Sequence, residues 1–487
     1  MKKIGIYGAG AAGRLLAADL SLSKAGKVEF FIDDDPNLIG HDLFGCPIVS
    51  LFSVRNLELH QHIDEIIIAL PSAPVDLLES IHNNLREFNK PIYSVPTEAT
   101  YSARPLSSND IVPYLVTNLV GRQMVNIETG LTRAFIEGKH VLITGAGGSI
   151  GSEIAKQCAM LAPSIITLID SSEYALYAID NALRSLCKPF TIRAKLANIC
   201  DIAAIRNILK CTPDVVFHAA AYKHVPLVED NAASSVKNNI VGTRLLLNAC
   251  AEKKLKNFVL ISSDKAVRPT NIMGATKRIC ELLTISTNNI TSRDEQYSMV
   301  RFGNVMGSSG SVVPLFKNQI MSGGPVTITH DDITRFFMSV EEAAQLVIHA
   351  GSLSAGGEVF LLDMGRPVKI RDLAEKMIQF YGFNLQTEAE PKGIEIVTTG
   401  LRPGEKLFEE LLIDGTATST IHPNIFKSVD GAGPTDEFAL ELDTLIRDID
   451  YKIKADIIRD IKKLVPEYEV SINSITKNVN VTETTIK

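Results

Sequence analysis

At 487 residues, with 45% hydrophobic and 22% charged residues, the chain is long enough for two or three domains and has the make-up of an ordinary globular protein. A net charge of −7 excludes a global basic footprint for nucleic acid, although local groups can still hold small anions. Seven scattered cysteines without a Cys-x-x-Cys pair speak against a structural zinc site, and no apolar run approaches the roughly 18 residues a membrane span needs.

The first domain is read over 1–125. Ile4-Gly-Ile-Tyr7 reads as a strand, Gly8-Ala-Gly10-Ala-Ala-Gly13 as the glycine turn opening a helix, and Val28-Glu-Phe-Phe-Ile-Asp33 as a second strand ending in an acid. That is a dinucleotide fingerprint in its expected setting. No acid–base cluster accompanies it, so a structural or regulatory nucleotide-type domain is expected here. Residues 126–139 form a hinge too apolar for a flexible linker.

The catalytic domain is read over 140–430. His140–Thr144 is a strand, Gly145-Ala-Gly-Gly148-Ser149-Ile150-Gly151 a second glycine turn, and the strand 165–169 ends in Asp170. Gly145, Gly148, Ser149, Ile150 and Gly151 are the candidate phosphate cradle. Asp170 is placed for ribose hydroxyls and would repel a 2′-phosphate, which favours NAD over NADP. After the strand Thr191–Lys195 come Asn198 and Ile199; the glycine turn 145–151 resembles that of the extended short-chain dehydrogenase/reductases, which implies an adenine contact there. After Asp214–His218 come Ala219 and Ala220, small enough for a flat cofactor, then Lys223 and His224 as candidate contacts to sugar or phosphate. A long helix is expected from about 232 to 252.

The apolar segment 257–262 predicts a buried strand with Ser263, Asp264 and Lys265 at its carboxyl end, where open α/β sheets bind ligands. Helical spacing resumes from Gly274, which puts Met273 and Lys277 on one helical face. Segments 312–345 and 390–430 are expected to form a small α+β substrate lobe whose Arg335, Arg402 and Lys406 suit a diphosphate. A helical segment over 431–469 and a disordered tail over 470–487 complete the reading. The fold class is therefore α/β, with two Rossmann-like doubly wound parallel sheets in tandem.

The block Ser262-Ser-Asp-Lys-Ala-Val-Arg-Pro-Thr-Asn-Ile-Met-Gly-Ala-Thr-Lys277, with Thr144 to Glu153, Lys223-His-Val-Pro226, Arg301-Phe-Gly-Asn304-Val305 and Arg402-Pro-Gly-Glu405-Lys406, resembles the UDP-N-acetylglucosamine 4,6-dehydratases of bacterial capsule, O-antigen and glycan synthesis. These belong to the extended short-chain dehydrogenase/reductase superfamily. The resemblance covers residues 1 to about 415 and implies catalytic NAD, a UDP-sugar substrate held partly through Asn304, Arg335, Arg402 and Glu405, no metal, and a homo-oligomer. Long members carry transmembrane helices ahead of the first domain. The expectation is a cytoplasmic chain, at the inner face of the membrane if such a region is missing from this sequence.

The chemistry implied is loss of water across C5 and C6 of the sugar. Oxidation at C4 makes the C5 proton acidic, a base removes it, an acid protonates the departing 6-hydroxyl, and the hydride returns to C6. Ser263 is the candidate hydrogen-bond partner of the C4 oxygen, Asp264 the acid and Lys265 the C5 base. An acid needs a raised pKa and a base a lowered one, against which the two neighbouring opposite charges work. Lys277 would hold the nicotinamide ribose. Its usual tyrosine companion is replaced by Met273, as in the long dehydratases, so Asp264 is expected to take the C4 proton as well. Retention at C5 is the expectation for this methionine form. The alternatives are a UDP-sugar C4 epimerase or reductase, which needs no elimination pair, and a non-catalytic nucleotide-sensing scaffold.

Overall fold

A computed structural model describes residues 1–71, 73, 75–95, 112–113, 130–306, 308, 310–381, 383–388, 390–410, 417–428 and 433–469. Residues 126–129 of the hinge and the whole of the tail over 470–487 lie outside the described residues. The chain folds as two compact units. One comprises 1–125, 312–328 and 371–397, and the other comprises 126–311, 329–370 and 398–487. The lobe drawn over 312–345 and 390–430 is thus shared out between the two.

In the first unit, β1 (Lys3–Tyr7), β2 (Lys27–Ile32), β3 (Asp42–Leu43), β4 (Cys46–Val49), β5 (Glu65–Ile68), β6 (Ile92–Ser94) and β7 (Val112–Pro113) form a sheet of order β3-β4-β2-β1-β5-β6-β7. Its centre is parallel, with β3 and β7 added antiparallel at the two edges. Ile6, Phe31 and Ile67 are fully buried on one face, Ile32, Ile66 and Ile68 on the other. Such two-sided burial is why these strands read as unbroken apolar runs. Helix α1 (Ala11–Ser23) follows β1, and Gly13 lies so close to Gly8 that a Cβ would meet the Gly8 carbonyl oxygen at 1.9 Å.

The second unit is built on nine strands: β8 (His140–Thr144), β9 (Ile165–Asp170), β10 (Thr191–Leu196), β11 (Val215–His218), β12 (Asn257–Ile261), β13 (Gln296–Arg301), β14 (Val359–Leu362), β15 (Ala417–Ser419) and β16 (Ile425–Ser428). Their order is β10-β9-β8-β11-β12-β13-β14-β16-β15, parallel as far as β14 and antiparallel beyond it. The chain winds outward from β8 in one direction and from β11 in the other. The crevice at the carboxyl ends of these two neighbours is where such sheets bind ligands. Strands β8 and β11 are buried at every residue, whereas the edge strand β10 carries exposed Lys195.

The expected helix over 232–252 is present as three joined pieces. An α-turn over Ala232–Ser235 passes through a π-helical stretch, Val236–Val241, into α3 (Gly242–Glu252); α2 (Ser149–Met160) precedes it after β8. The π stretch turns Asn239 inward, where its side chain ties Tyr222 to Thr276. Helix α4 (Ile272–Ile290) starts on an Asn271 cap whose side chain accepts from Gly274 N–H at 2.8 Å, and it is buried without a break from Ile272 to Thr284. The helices Phe438–Ile446 and Lys454–Leu464 cover the same core. Among the described residues no helix is long and apolar enough to cross a membrane.

Candidate active site

Strand β12 ends at Ile261, and the chain enters a short 3-10 turn over Asp264–Ala266. Two contacts hold this turn rigid. A Cβ on Gly274 would lie 2.1 Å from the Lys265 carbonyl oxygen, so α4 can start this close only with glycine there. Ser262, just ahead, donates at 2.7 Å to Glu281, whose two oxygens meet Arg301 at 2.7 Å each and Arg278 at 3.1 Å. Glu281 and Arg301 are fully buried, and both of their ends are satisfied.

Within the turn, Ser263 Oγ donates to Asp264 Oδ1 at 2.8 Å, and Lys265 Nζ reaches the same oxygen at 3.1 Å. Lys265 Nζ also contacts Asn304 Oδ1 at 3.3 Å and Glu409 Oε1 at 3.0 Å. Glu409 in turn accepts from Asn304 Nδ2 at 2.9 Å and forms an ion pair with Arg335, whose Nε lies 3.1 Å away. Asp264, Lys265, Asn304 and Arg335 are therefore brought into one cluster. Glu409 is the member that sequence reasoning missed. It follows Glu405 by four residues in a charged stretch, and nothing local distinguishes it from a solvated acid.

The electrostatics run opposite to what an acid at Asp264 and a base at Lys265 need. Burial pushes the Asp264 carboxyl up, but Lys265 and the hydrogen bonds from Glu409 and Ser263 outweigh it and hold it below the usual range. Burial works to lower Lys265, yet Asp264 and Glu409 hold the ammonium well above its ordinary value. The displaced proton equilibrium falls on Glu409, which burial and then the charge of Asp264 push up to about 7. In the resting site Lys265 is an ammonium, Asp264 a carboxylate and Glu409 the group that titrates near neutrality.

The second glycine turn has the shape of a phosphate cradle. Gly145 has φ +63° and lies against Ala219 and Ala220, where a Cβ would meet Ala220 N at 2.7 Å. A Cβ on Gly151 would meet the Gly145 carbonyl oxygen at 2.1 Å. Helix α2 begins with Ser149, Ile150 and Gly151 after an N-cap, Gly148, that supplies no side-chain hydrogen bond. Its first N–H groups are thus left for an anion. Asp170 ends β9 as expected, but both of its oxygens take backbone N–H groups, from Gly147 at 2.9 Å and Ser172 at 2.8 Å. It braces the turn and keeps spare lone pairs for hydroxyls. These residues fit a dinucleotide.

Asn198 accepts from Cys200 N–H at 2.8 Å, and Ile199 is buried against Gly242. Lys277 Nζ donates to the carbonyl of Ile261, the last residue of β12, at 2.8 Å. Met273 is 3% exposed and packs in the core of this unit, where a thioether has no proton to give. Lys223, His224 and Arg402 are exposed, with the His224 ring against Gly310. Glu405 pairs with Arg335 at 3.0 Å and accepts from Arg402 N–H. The segment 402–410 is fixed to the start of α4, because the Gly404 carbonyl accepts from Thr270 Oγ1 at 2.7 Å and Asn271 Nδ2 at 3.0 Å. Among the described residues no group of His, Cys, Asp and Glu could hold a metal ion.

The profile of the family described as "Polysaccharide biosynthesis protein" matches residues 141–430, more than half the chain. The chain belongs to this family. The capsular polysaccharide biosynthesis protein CapD of Staphylococcus aureus is 38% identical over 453 residues, 91% of this chain and 74% of that protein. A "UDP-N-acetylglucosamine 4,6-dehydratase (inverting)" of Campylobacter jejuni is 34% identical over 278 residues, 56% of this chain and 78% of its own. A "UDP-glucose 4-epimerase" of Rickettsia rickettsii matches to the same 34%, over 56% of this chain and 77% of its own. The X-ray structure of Pen from Bacillus thuringiensis is 36% identical, covers 60% of this chain and 88% of that one, and superposes with a TM-score of 0.55.

Proposed function

We propose that this chain is an NAD-dependent UDP-N-acetylglucosamine 4,6-dehydratase that makes a UDP-4-keto-6-deoxy-N-acetylhexosamine for surface polysaccharide synthesis. The observation that carries this reading is the ion pair of buried Asp264 with half-buried Lys265 at the end of β12, the strand end that Lys277 also reaches, in the same unit as the Gly145–Gly151 cradle. A C4 epimerase or reductase has no use for a carboxylate and an amine set side by side for elimination. The Campylobacter relative bears the dehydratase name, and the Rickettsia relative keeps the epimerase as the second reading.

Gly145, Gly148, Ser149, Ile150 and Gly151 would hold the pyrophosphate, Asp170 the adenosine ribose and Lys277 the nicotinamide ribose. When bound, NAD supplies a reversible hydride acceptor for the sugar C4. Asp264, held as a carboxylate, takes the C4 hydroxyl proton and later delivers it to the departing 6-hydroxyl. Ser263 orients Asp264 and the C4 oxygen. Lys265 takes the C5 proton and returns it from the same side, which gives retention at C5. Arg335 lies within the cluster, and Arg402 on the exposed rim suits the diphosphate.

The test is incubation of the purified chain with a panel of UDP-hexosamines. Loss of one water from UDP-N-acetylglucosamine, with a new C6 methyl signal by NMR, is the expected result, and the C5 coupling reads the configuration. A C4 epimer at unchanged mass would establish the epimerase instead.

A further inference from the structure

Lys265 cannot remove a proton while it is an ammonium, and two carboxylates hold it in that form. Some group must accept its proton. Asp264 is committed to the sugar hydroxyls in the mechanism proposed above, on which this inference rests. Among the described residues, Glu409 is the one carboxylate besides Asp264 that Lys265 Nζ contacts, at 3.0 Å.

The surroundings of Glu409 suit that task. Its side chain is 5% exposed. It faces Asp264 and Lys265 on the turn after β12, Asn304 after β13, and Arg335, itself shared with Glu405. Arg335 and Asn304 fix the carboxyl so that one oxygen, Oε1, points at the ammonium.

We propose that Glu409 takes the ammonium proton of Lys265, freeing the amine to act on C5, and gives that proton back at the end of the cycle. The order of steps makes this transfer easier when it is needed. Once Asp264 has taken the C4 hydroxyl proton it is neutral, and one of the two charges that stabilise the ammonium is gone. The N–H proton then passes to Glu409 Oε1, and the amine takes the C5 proton. The C6–O bond breaks as Asp264 returns its proton to the leaving oxygen. When C5 is reprotonated by Lys265, Glu409 restores the ammonium, so every proton is accounted for. Glu409 touches no sugar atom in this scheme. It is a positioning residue acting through Lys265, and it titrates in the neutral range.

The test uses Glu409→Gln in the full chain, with NAD and UDP-N-acetylglucosamine in single turnover. The expected result is C4 oxidation within a few-fold of wild type, seen as transient reduced-nicotinamide absorbance. Water loss and solvent-deuterium entry at C5 fall by about 10²–10⁴-fold. Glu409→Asp recovers part of the loss, which a folding defect would not allow. In the protein without substrate, a buried-acid C=O infrared band should grow as pH falls through neutrality and vanish in Glu409→Gln. Wild-type water loss in Glu409→Gln, equal losses in both steps, or no such band would overturn the inference. Should Glu409→Gln not fold, wild-type C5 exchange that stays flat through neutrality would overturn it too. If wild type itself neither oxidises nor dehydrates any UDP-hexosamine, it is the dehydratase reading that fails, and the infrared band still tests Glu409.

Discussion

Lys265 Nζ lies 3.0 Å from Glu409 Oε1, although 144 residues separate the two in the chain. With Asp264 on its other side, the ammonium is gripped by two buried carboxyls. Asp264→Asn keeps the shape and removes one of those charges. Turnover of UDP-N-acetylglucosamine should drop by about 10²–10⁴-fold with substrate binding retained, as measured by mass loss and by equilibrium titration. Unchanged turnover would remove Asp264 from the chemistry.

The Glu281–Arg301 pair predicts an acid limit to stability. Burial opposes the Glu281 charge, but Arg301, Arg278 and Ser262 bring its carboxyl down to about 2 from an ordinary 4.5. A folded pKa below the unfolded one means that the contribution is complete above pH 4.5 and drains away between there and pH 2. Glu281→Ala should cost about 3–5 kcal/mol at neutral pH by urea unfolding, because it strands a buried guanidinium.

Gly151→Ala should weaken NAD binding while Gly148→Ala does less harm. The first Cβ would meet the Gly145 carbonyl oxygen at 2.1 Å, the second the same atom at 3.2 Å. Overpacking of about 1–3 kcal/mol at the first site corresponds to roughly 5- to 150-fold in affinity, read by fluorescence titration with NAD.

Gly404→Ala tests whether the segment that carries Glu409 must sit flush on α4. Gly404 has φ +75°, and a Cβ there would meet Asn271 Cβ at 2.7 Å and the Thr270 oxygen at 2.8 Å. The expected outcome is a larger fall in kcat than in melting temperature, since the displaced segment ends at the Lys265 contact.

What the sequence revealed was local. The glycine turn 145–151, the strand entering Ser263 and the shared face of Met273 and Lys277 each depend on residues within one element and its neighbours, and the family motif adds the Arg402–Lys406 segment. What stayed hidden depends on distance. Glu409 gains its role from a turn 144 residues earlier, and the protonation order of the cluster follows from burial that no spacing encodes. Asp170 was legible as a strand-end acid, but its hold on Gly147 and Ser172 needed the closed loop. The π stretch around Asn239 looks like ordinary helix in one dimension.

The grip of Thr270 and Asn271 on the Gly404 carbonyl also bears on redesign. A chimera that borrows 264–277 from a cousin while retaining the host's 402–410 would mate two surfaces shaped for other counterparts. The two stretches are locked together in this chain, so substrate-range swaps between relatives should move them together.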